Sequence, residues 1–139
     1  MSKPICVLAV DDEVEYLDSL KCVLSSRGFK VDTASDGMSG VALFEKQQFD
    51  CVLLDLKMPG MDGLATLRAM RRHDRFTPVL LLTGCGEIPS VLSALKNGSE
   101  GFLAKPCPIE DLVSAIEDAS ERKALARAYE SNGKGQSGS

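Results

Sequence analysis

The sequence predicts an open α/β domain built on a parallel β-sheet, and three observations lead to that fold class. The chain has 139 residues, of which 44% are apolar and 26% charged, which suits one globular domain with its own core. Short apolar runs alternate five times with helical patterns. Three of those runs are almost wholly apolar and rich in Val, Leu and Ile, as expected of parallel strands that are covered on both faces.

The predicted strands are the short apolar runs, of which the second is the weakest. They are Ile5–Val10, Lys30–Ala34, Cys51–Leu54, Val79–Leu82 and Gly101–Ala104. The helices between them are predicted from apolar residues spaced three and four apart. Their stripes are, in order, Val14/Leu17/Leu20/Leu24, ended by Gly28; Val41/Phe44; Leu64/Leu67/Met70; Ile88/Val91/Leu92/Leu95, ended by Asn97-Gly98; and Ile109/Leu112/Val113/Ile116, which follows Pro108 at the first turn.

The end of the chain divides into two further segments after a domain that we assign to residues 3–119. The last helical pattern runs from Pro108 to about Glu130, which is long for a globular helix. Because residues 120–130 are mostly charged, we expect them to gain little by packing on the sheet and to form a helix extension or signalling linker. Residues 131–139 are rich in Ser and Gly, which predicts a flexible tail or a cloning scar.

Charge and cysteine content exclude several classes of protein. The net charge of −4 disfavours direct nucleic-acid binding through the overall field. No apolar run approaches the roughly 18 residues of a membrane span, and the N-terminus does not resemble a signal peptide. Five scattered cysteines without a Cys-x-x-Cys pair favour free thiols in a reducing compartment. We therefore expect a cytoplasmic protein without membrane contact.

Polar residues follow the predicted strands where each strand ends. Asp11 and Asp12 follow the first strand, Asp55 the third, Thr83 the fourth and Lys105 the fifth. Each residue taken alone fits a helix cap, a turn or a solvated charge. Because the carboxyl ends of parallel strands share one edge, where open α/β folds bind ligands, we expect the five to converge. Three crowded carboxylates predict a divalent cation, Mg²⁺ or else Mn²⁺.

Four motifs together resemble the receiver domain of bacterial two-component response regulators, of the chemotaxis-regulator type. They are Val10-Asp11-Asp12-Glu13, the segment from Asp55 to Gly63 (DLKMPGMDG), Leu82-Thr83-Gly84, and Phe102-Leu103-Ala104-Lys105-Pro106. The resemblance covers roughly Lys3 to Ala119. It implies a flavodoxin-like, doubly wound five-stranded sheet of order 2-1-3-4-5 with five helices.

The resemblance also implies a role for each matching residue. Asp55 matches the phosphoacceptor, and the metal ligands match Asp11, Asp12, Asp55 and the backbone carbonyl of Lys57. Lys105 matches the residue that pairs with the phosphoryl oxygens, and Pro106 follows a cis peptide bond in the family. Thr83 matches the switch hydroxyl and Phe102 the switch aromatic.

The partners implied are a histidine kinase or phosphotransfer protein and an output domain or target. The family uses the face of the fourth helix, fifth strand and fifth helix for output or for homodimers. Two alternatives remain at this point. One is a receiver-like interaction module that is never phosphorylated; such modules usually lose an acid, the acceptor or the lysine, and this chain has all of them. A magnesium-dependent phosphohydrolase is disfavoured because Asp11 and Asp12 are adjacent instead of forming Asp-x-Asp-x-Thr. On the main interpretation the domain is not an enzyme beyond catalysing its own phosphorylation and dephosphorylation.

Overall fold

The computed structural model describes residues 3–56, 63–84, 96, 98–99 and 101–137, with the backbone alone at residues 83 and 131–137. Within these ranges five strands and four helices follow one another along the chain. They are β1 (Cys6–Val10), α1 (Val14–Ser26), β2 (Lys30–Ala34), α2 (Gly37–Lys46), β3 (Cys51–Leu54), α3 (Gly63–His73), β4 (Val79–Thr83), β5 (Gly101–Ala104) and α4 (Ile109–Ser137). The predicted fourth helix, around Ile88–Leu95, lies outside the described residues, so α4 is the helix predicted as the fifth.

The five strands form one parallel sheet in the order β2-β1-β3-β4-β5. This order, which the sequence pattern alone does not give, is the one implied by the family resemblance. The predicted fold class is therefore confirmed. Strand boundaries differ by one residue in two places: Ile5 lies outside β1, and Thr83 joins β4 by pairing with Ala104.

Alternate residues of each central strand belong to two separate hydrophobic cores, one on each side of the sheet. Even-numbered residues of β1, such as Leu8, pack with the buried residues of α2 and α3, including Phe44 and Leu67. Odd-numbered residues such as Val7 pack with α1 and α4, including Leu24 and Ile116. Because strands covered on both faces have no polar side, their runs are apolar throughout.

The last helix has one buried anchor in a segment whose sequence is mostly charged. Residues 121–122 and 124–129 are exposed, in line with the expectation that this segment gains little by packing, but Lys123 is buried and its Nζ donates to the backbone carbonyl of Phe49. Arg127 lies over the ring of Phe76, with 5.6 Å from its Cζ to the ring centroid. Glu130 forms an ion pair with Arg75 at 2.8 Å. Long charged side chains cover apolar surface with their stems, and a count of apolar residues misses that.

α4 also continues to Ser137, past the predicted end near Glu130. The flexible tail predicted for residues 131–139 is thus helical in backbone through residue 137. Gly133 and Gly135 each disfavour a helix interior by about 1 kcal/mol. A helix that is already formed nevertheless gains one hydrogen bond for each residue added, without a new nucleus.

The cysteine and membrane predictions concern features away from the sheet edge. Among the described residues Cys6, Cys22 and Cys107 are free thiols, as predicted. Within the same part of the chain, none of the helices combines the length and the apolar character that crossing a membrane requires.

Candidate functional site

The carboxyl edge of the sheet brings together three of the predicted acidic residues. Asp11 and Asp12 follow β1, Asp55 follows β3, and one carboxylate oxygen from each lies within 4.8 Å of the others. Asp11 and Asp55 are 3% and 7% exposed, whereas Asp12 is exposed. Two carboxylates are thus held in the protein while the third faces solvent.

The two carboxylate oxygens of Asp11 accept from different partners. Oδ1 accepts the backbone N–H of Glu13 at 2.9 Å, which fixes the turn between β1 and α1. Oδ2 accepts from Lys105 Nζ. The N-cap residue of α1 is Glu13, which makes no side-chain cap hydrogen bond. A helix cap therefore does not account for the acid pair, and Asp11 combines a turn contact with an ion pair.

Asp55 is held by close backbone packing on both sides. Its N–H donates to the carbonyl of Val10 at 3.0 Å, which ties the end of β3 to the end of β1. On the other side, α3 begins at Gly63, where a Cβ would lie 2.4 Å from Leu56 Cα and 2.9 Å from the Asp55 carbonyl oxygen. Only glycine permits this approach, so Gly63 lets the start of α3 lie directly against the backbone of Asp55 and Leu56.

Lys105 is the cation of the site and lies between three acids. Besides Asp11, its Nζ lies 3.3 Å from Glu13 Oε1 and 3.7 Å from Asp55 Oδ2. Burial lowers the pKa of Lys105, but the hydrogen bond and charge of Asp11, helped by Asp55 and Glu13, outweigh burial and hold it above its usual range. The ammonium is therefore charged at neutral pH. The Lys105–Pro106 peptide bond is cis.

The structure places two residues at the site that the sequence did not single out. Glu13 joins the ion pairs of Lys105, and Tyr16 presents its ring to the same ammonium, 4.6 Å from Nζ to the ring centroid. Both lie at the start of α1, one helical turn apart. The sequence carries one signal for each residue: Glu13 directly follows the acid pair, and Tyr16 is an aromatic residue one turn later, beside Leu17 and Leu20.

The remaining predicted residues are described only in part. Lys57 and its carbonyl lie outside the described residues, as does the side chain of Thr83, whose backbone ends β4. Phe102 lies on β5 with 52% of its surface exposed. Its ring faces outward in this structure, whereas the switch role implied by the resemblance requires it to turn inward as well.

The donor set fits a hard divalent cation. Like charges about 4 Å apart repel by roughly 4 kcal/mol at an effective dielectric near 20, and the single positive charge of Lys105 can offset one of the three carboxylates. Oxygen-only ligands that include an exposed carboxylate are typical of Mg²⁺ sites, which keep several waters. The chemistry of these residues therefore supports metal binding and a phosphoryl ligand beside it.

The family model described as "Response regulator receiver domain" matches residues 7–117. The chain belongs to this family. The match runs from β1 into the first third of α4 and includes all the residues of the acidic site. Receiver domains are the phosphoacceptor parts of two-component signalling proteins, and this chain is one of them by family and by fold.

Curated relatives are transcriptional regulators longer than this chain. The transcriptional regulatory protein TrcR of Mycobacterium tuberculosis is 36% identical over 113 residues, which is 81% of this chain and 44% of that protein. FixJ of Bradyrhizobium diazoefficiens is 34% identical over 113 residues, 81% of this chain and 55% of FixJ. The chain thus spans about half the length of these relatives.

Solved receiver structures match over nearly their whole length. The response regulator receiver domain protein from Clostridium thermocellum is 34% identical with a TM-score of 0.84, covering 88% of this chain and 98% of that one. A receiver domain protein described as CheY-like, from Methanospirillum hungatei, is 26% identical with a TM-score of 0.84 and the same coverage.

Proposed function

We propose that Asp55 accepts a phosphoryl group from the phosphohistidine of a partner kinase or phosphotransfer protein, in a reaction that requires Mg²⁺. The observation that carries this proposal is the convergence of Asp11, Asp12 and Asp55 within 4.8 Å, with Lys105 Nζ 3.7 Å from Asp55 Oδ2. Family membership supplies the reaction class.

In this step a carboxylate oxygen of Asp55 attacks the phosphorus atom. A P–O bond forms, the P–N bond to the imidazole breaks, and its electron pair returns to the histidine nitrogen. The product is an aspartyl phosphate. Because Asp55 is held by the backbone contact to Val10 and by the approach of Gly63, the attacking oxygen needs little further ordering.

Lys105 stabilises the phosphoryl oxygens by charge. Its ammonium already lies beside Asp55, and its pKa is raised by its acidic neighbours, so it stays protonated through the transfer. Hydrogen bonds to charged groups contribute roughly 1.5–3 kcal/mol each. The Thr83 hydroxyl is proposed as the second donor to the same oxygens, and the two together supply much of the differential interaction needed to switch states.

Asp11, Asp12, Asp55 and the Lys57 carbonyl are proposed to hold the Mg²⁺ ion, with Mn²⁺ as an alternative. When bound, the ion supplies positive charge that balances the carboxylates against the incoming phosphoryl group. With three carboxylates, one divalent ion and one ammonium, the formal charge of the site is zero. The carboxylates alone would repel an anionic substrate.

The proposal extends to output and location. Phe102 is proposed to turn inward when Thr83 moves toward the phosphoryl group, which alters the face of the predicted fourth helix, β5 and α4. An output domain, target protein or second copy would bind there, and the site would operate in the cytoplasm. The domain would catalyse only its own phosphorylation and dephosphorylation.

Phosphorylation of Asp55 is tested with acetyl phosphate and Mg²⁺ by intact-mass measurement. One phosphoryl group should appear, should be removed by hydroxylamine, and should be absent with a chelator or in Asp55→Asn. Asp50→Asn is the matched control, because Asp50 lies at the opposite edge of the sheet, where it accepts the N–H of Cys6. A label that persists in Asp55→Asn and resists hydroxylamine would rule out the assignment.

The competing interpretation, an interaction module that is never phosphorylated, is not favoured, because the acids and Lys105 are all in place. Beryllofluoride binding followed by NMR separates it from a working switch. Shifts at Thr83, Phe102 and the Ile88–Leu95 segment are expected. Shifts confined to Asp11, Asp12 and Asp55 would mean that the site binds the phosphoryl mimic without signalling through this face.

A further inference from the structure

Tyr16 makes a contact with the site that the family resemblance does not assign. It lies in the first turn of α1, where it is half-buried against the core that the sheet forms with α1 and α4. The centroid of its ring is 4.6 Å from Lys105 Nζ. Tyr16 also lines a small cavity with Asp11, Asp55 and Leu82. The ring therefore borders both the cation and the acceptor carboxylate.

The charges around Lys105 do not by themselves fix it beside the acceptor. Asp11 is its near partner, but Glu13 lies 3.3 Å away and Asp55 is farther, at 3.7 Å. Glu13 has a side chain that is 66% exposed, so it offers the ammonium a well-hydrated partner outside the site. A lysine stem is flexible, so the stem itself does not select among these three carboxylates.

We propose that Tyr16 is a positioning residue, whose ring face holds the Lys105 ammonium at the Asp55 side of the site. The inference rests on the proposed phosphoacceptor role for its effect on rate, and on the geometry alone for the contact itself. Cations within about 6 Å of an aromatic centroid are attracted by the ring, more strongly where water is partly excluded.

The phenol suits this task because it stays neutral. Burial, opposed by the charge of Lys105 and assisted by that of Asp11, raises the pKa of Tyr16 to about 12. The residue thus offers Lys105 the face of a ring, not a phenolate that would compete with Asp55 as an ion-pair partner. The hydroxyl is not needed for this contact, whereas the aromatic ring is.

The test compares Tyr16→Leu with Tyr16→Phe in the full chain, using the initial rate of phosphorylation by acetyl phosphate with Mg²⁺. Tyr16→Leu should slow the reaction by about three- to tenfold, the range expected for losing one partly desolvated cation–π contact. Tyr16→Phe should restore most of that loss. Tyr129→Leu, which alters an 80% exposed tyrosine on α4, should leave the rate unchanged.

A double-mutant cycle separates positioning from a general packing defect. In a Lys105→Met background, Tyr16→Leu should have no further effect on the rate, because the contact is already gone. An equal slowing in both backgrounds, or a failure of Tyr16→Phe to restore the rate, would overturn the proposal. If Tyr16→Leu does not fold, fluorinated phenylalanines at position 16 keep the shape while weakening the ring face, and the rate should fall as fluorination increases.

Failure of the phosphoacceptor role gives a different result from failure of this inference. If the wild-type chain takes up no phosphoryl group, the proposed function is wrong, and the contact is then judged from urea unfolding of the same four proteins. Coupling between Tyr16 and Lys105 in the unfolding free energies should persist. Additive effects would overturn the contact itself.

Discussion

Replacing Lys123 with alanine tests how the last helix is held to the domain. Lys123 is 7% exposed, and its ammonium donates to the carbonyl of Phe49 just before β3. Burial lowers its pKa, an effect that Asp74 and Asp50 oppose. The alanine variant removes three methylene groups of the stem, worth roughly 2.4 kcal/mol at about 0.8 kcal/mol each.

The hydrogen bond adds to that loss, and the desolvated charge subtracts from it. Leaving the Phe49 carbonyl without its main donor costs about 1–3 kcal/mol; Thr77 Oγ1, at 3.5 Å, keeps the cost near the lower end. Removing a buried ammonium returns part of its desolvation penalty. We therefore expect Lys123→Ala to lower the free energy of unfolding by about 2–3 kcal/mol.

Urea denaturation of three variants separates these contributions. Arg122→Ala, at the exposed neighbouring position, should change stability by less than about 0.5 kcal/mol. Lys123→Met keeps a stem of similar length and loses the charge and the donor, so it should recover most of the loss. A Lys123→Ala effect no larger than that of Arg122→Ala would refute the argument that this lysine anchors the helix.

Three further predictions concern the site and its supports. Asp12→Ala should abolish Mg²⁺ binding in isothermal titration while metal-free stability stays equal or rises, since one repelling carboxylate is gone; unchanged affinity would contradict the ligand assignment. Gly63→Ala should destabilise the domain by more than about 2 kcal/mol, because its Cβ would lie 2.4 Å from the Leu56 backbone. Gly84→Ala is the control, because a Cβ there meets nothing within 4 Å. Similar unfolding midpoints for the two variants would refute the clash. Burial raises the pKa of Asp74, but hydrogen bonds from the Thr77 side chain and the Phe76 backbone outweigh it and hold the pKa below its ordinary 3.8. The stability that Asp74 contributes is therefore fully present above that value and is lost as pH falls through the folded-state pKa. Asp74→Asn should flatten the acid side of a plot of unfolding free energy against pH, and an unaltered acid side would count against this pairing.

The sequence predicted the residues of the site better than their contacts. Asp11, Asp55 and Lys105 could be placed because strand ends of one polarity meet at one edge, a rule that needs only the strand positions. Tyr16 could not, because its contact with Lys105 depends on how α1 lies against the end of β5. Helical spacing groups Tyr16 with the core residues Leu17 and Leu20 but does not say which cation its ring faces.

The last helix shows a different limit of sequence interpretation. Its start after Pro108 was predictable from capping rules, and its buried stripe from periodicity. The same periodicity does not identify Lys123 as an anchor, because a pattern that scores lysine as polar assigns it to solvent. Its carbonyl partner belongs to Phe49, which is distant in the chain, so only the folded arrangement identifies the pair.

The anchor at Lys123 gives α4 the mechanics of a lever. The arm from Lys123 to Ser137 is about 21 Å long at 1.5 Å per residue, so a tilt of about 10° at the anchor would displace its tip by roughly 4 Å. Such a tilt would have to loosen the contacts of Arg127 with Phe76 and of Glu130 with Arg75. Phe49, which forms the pivot, precedes β3, the strand that carries Asp55 at its far end. The pivot and Asp55 thus lie at opposite ends of one buried strand. A tilt of α4 too small to disturb the core would therefore produce a larger displacement at the tip of the helix.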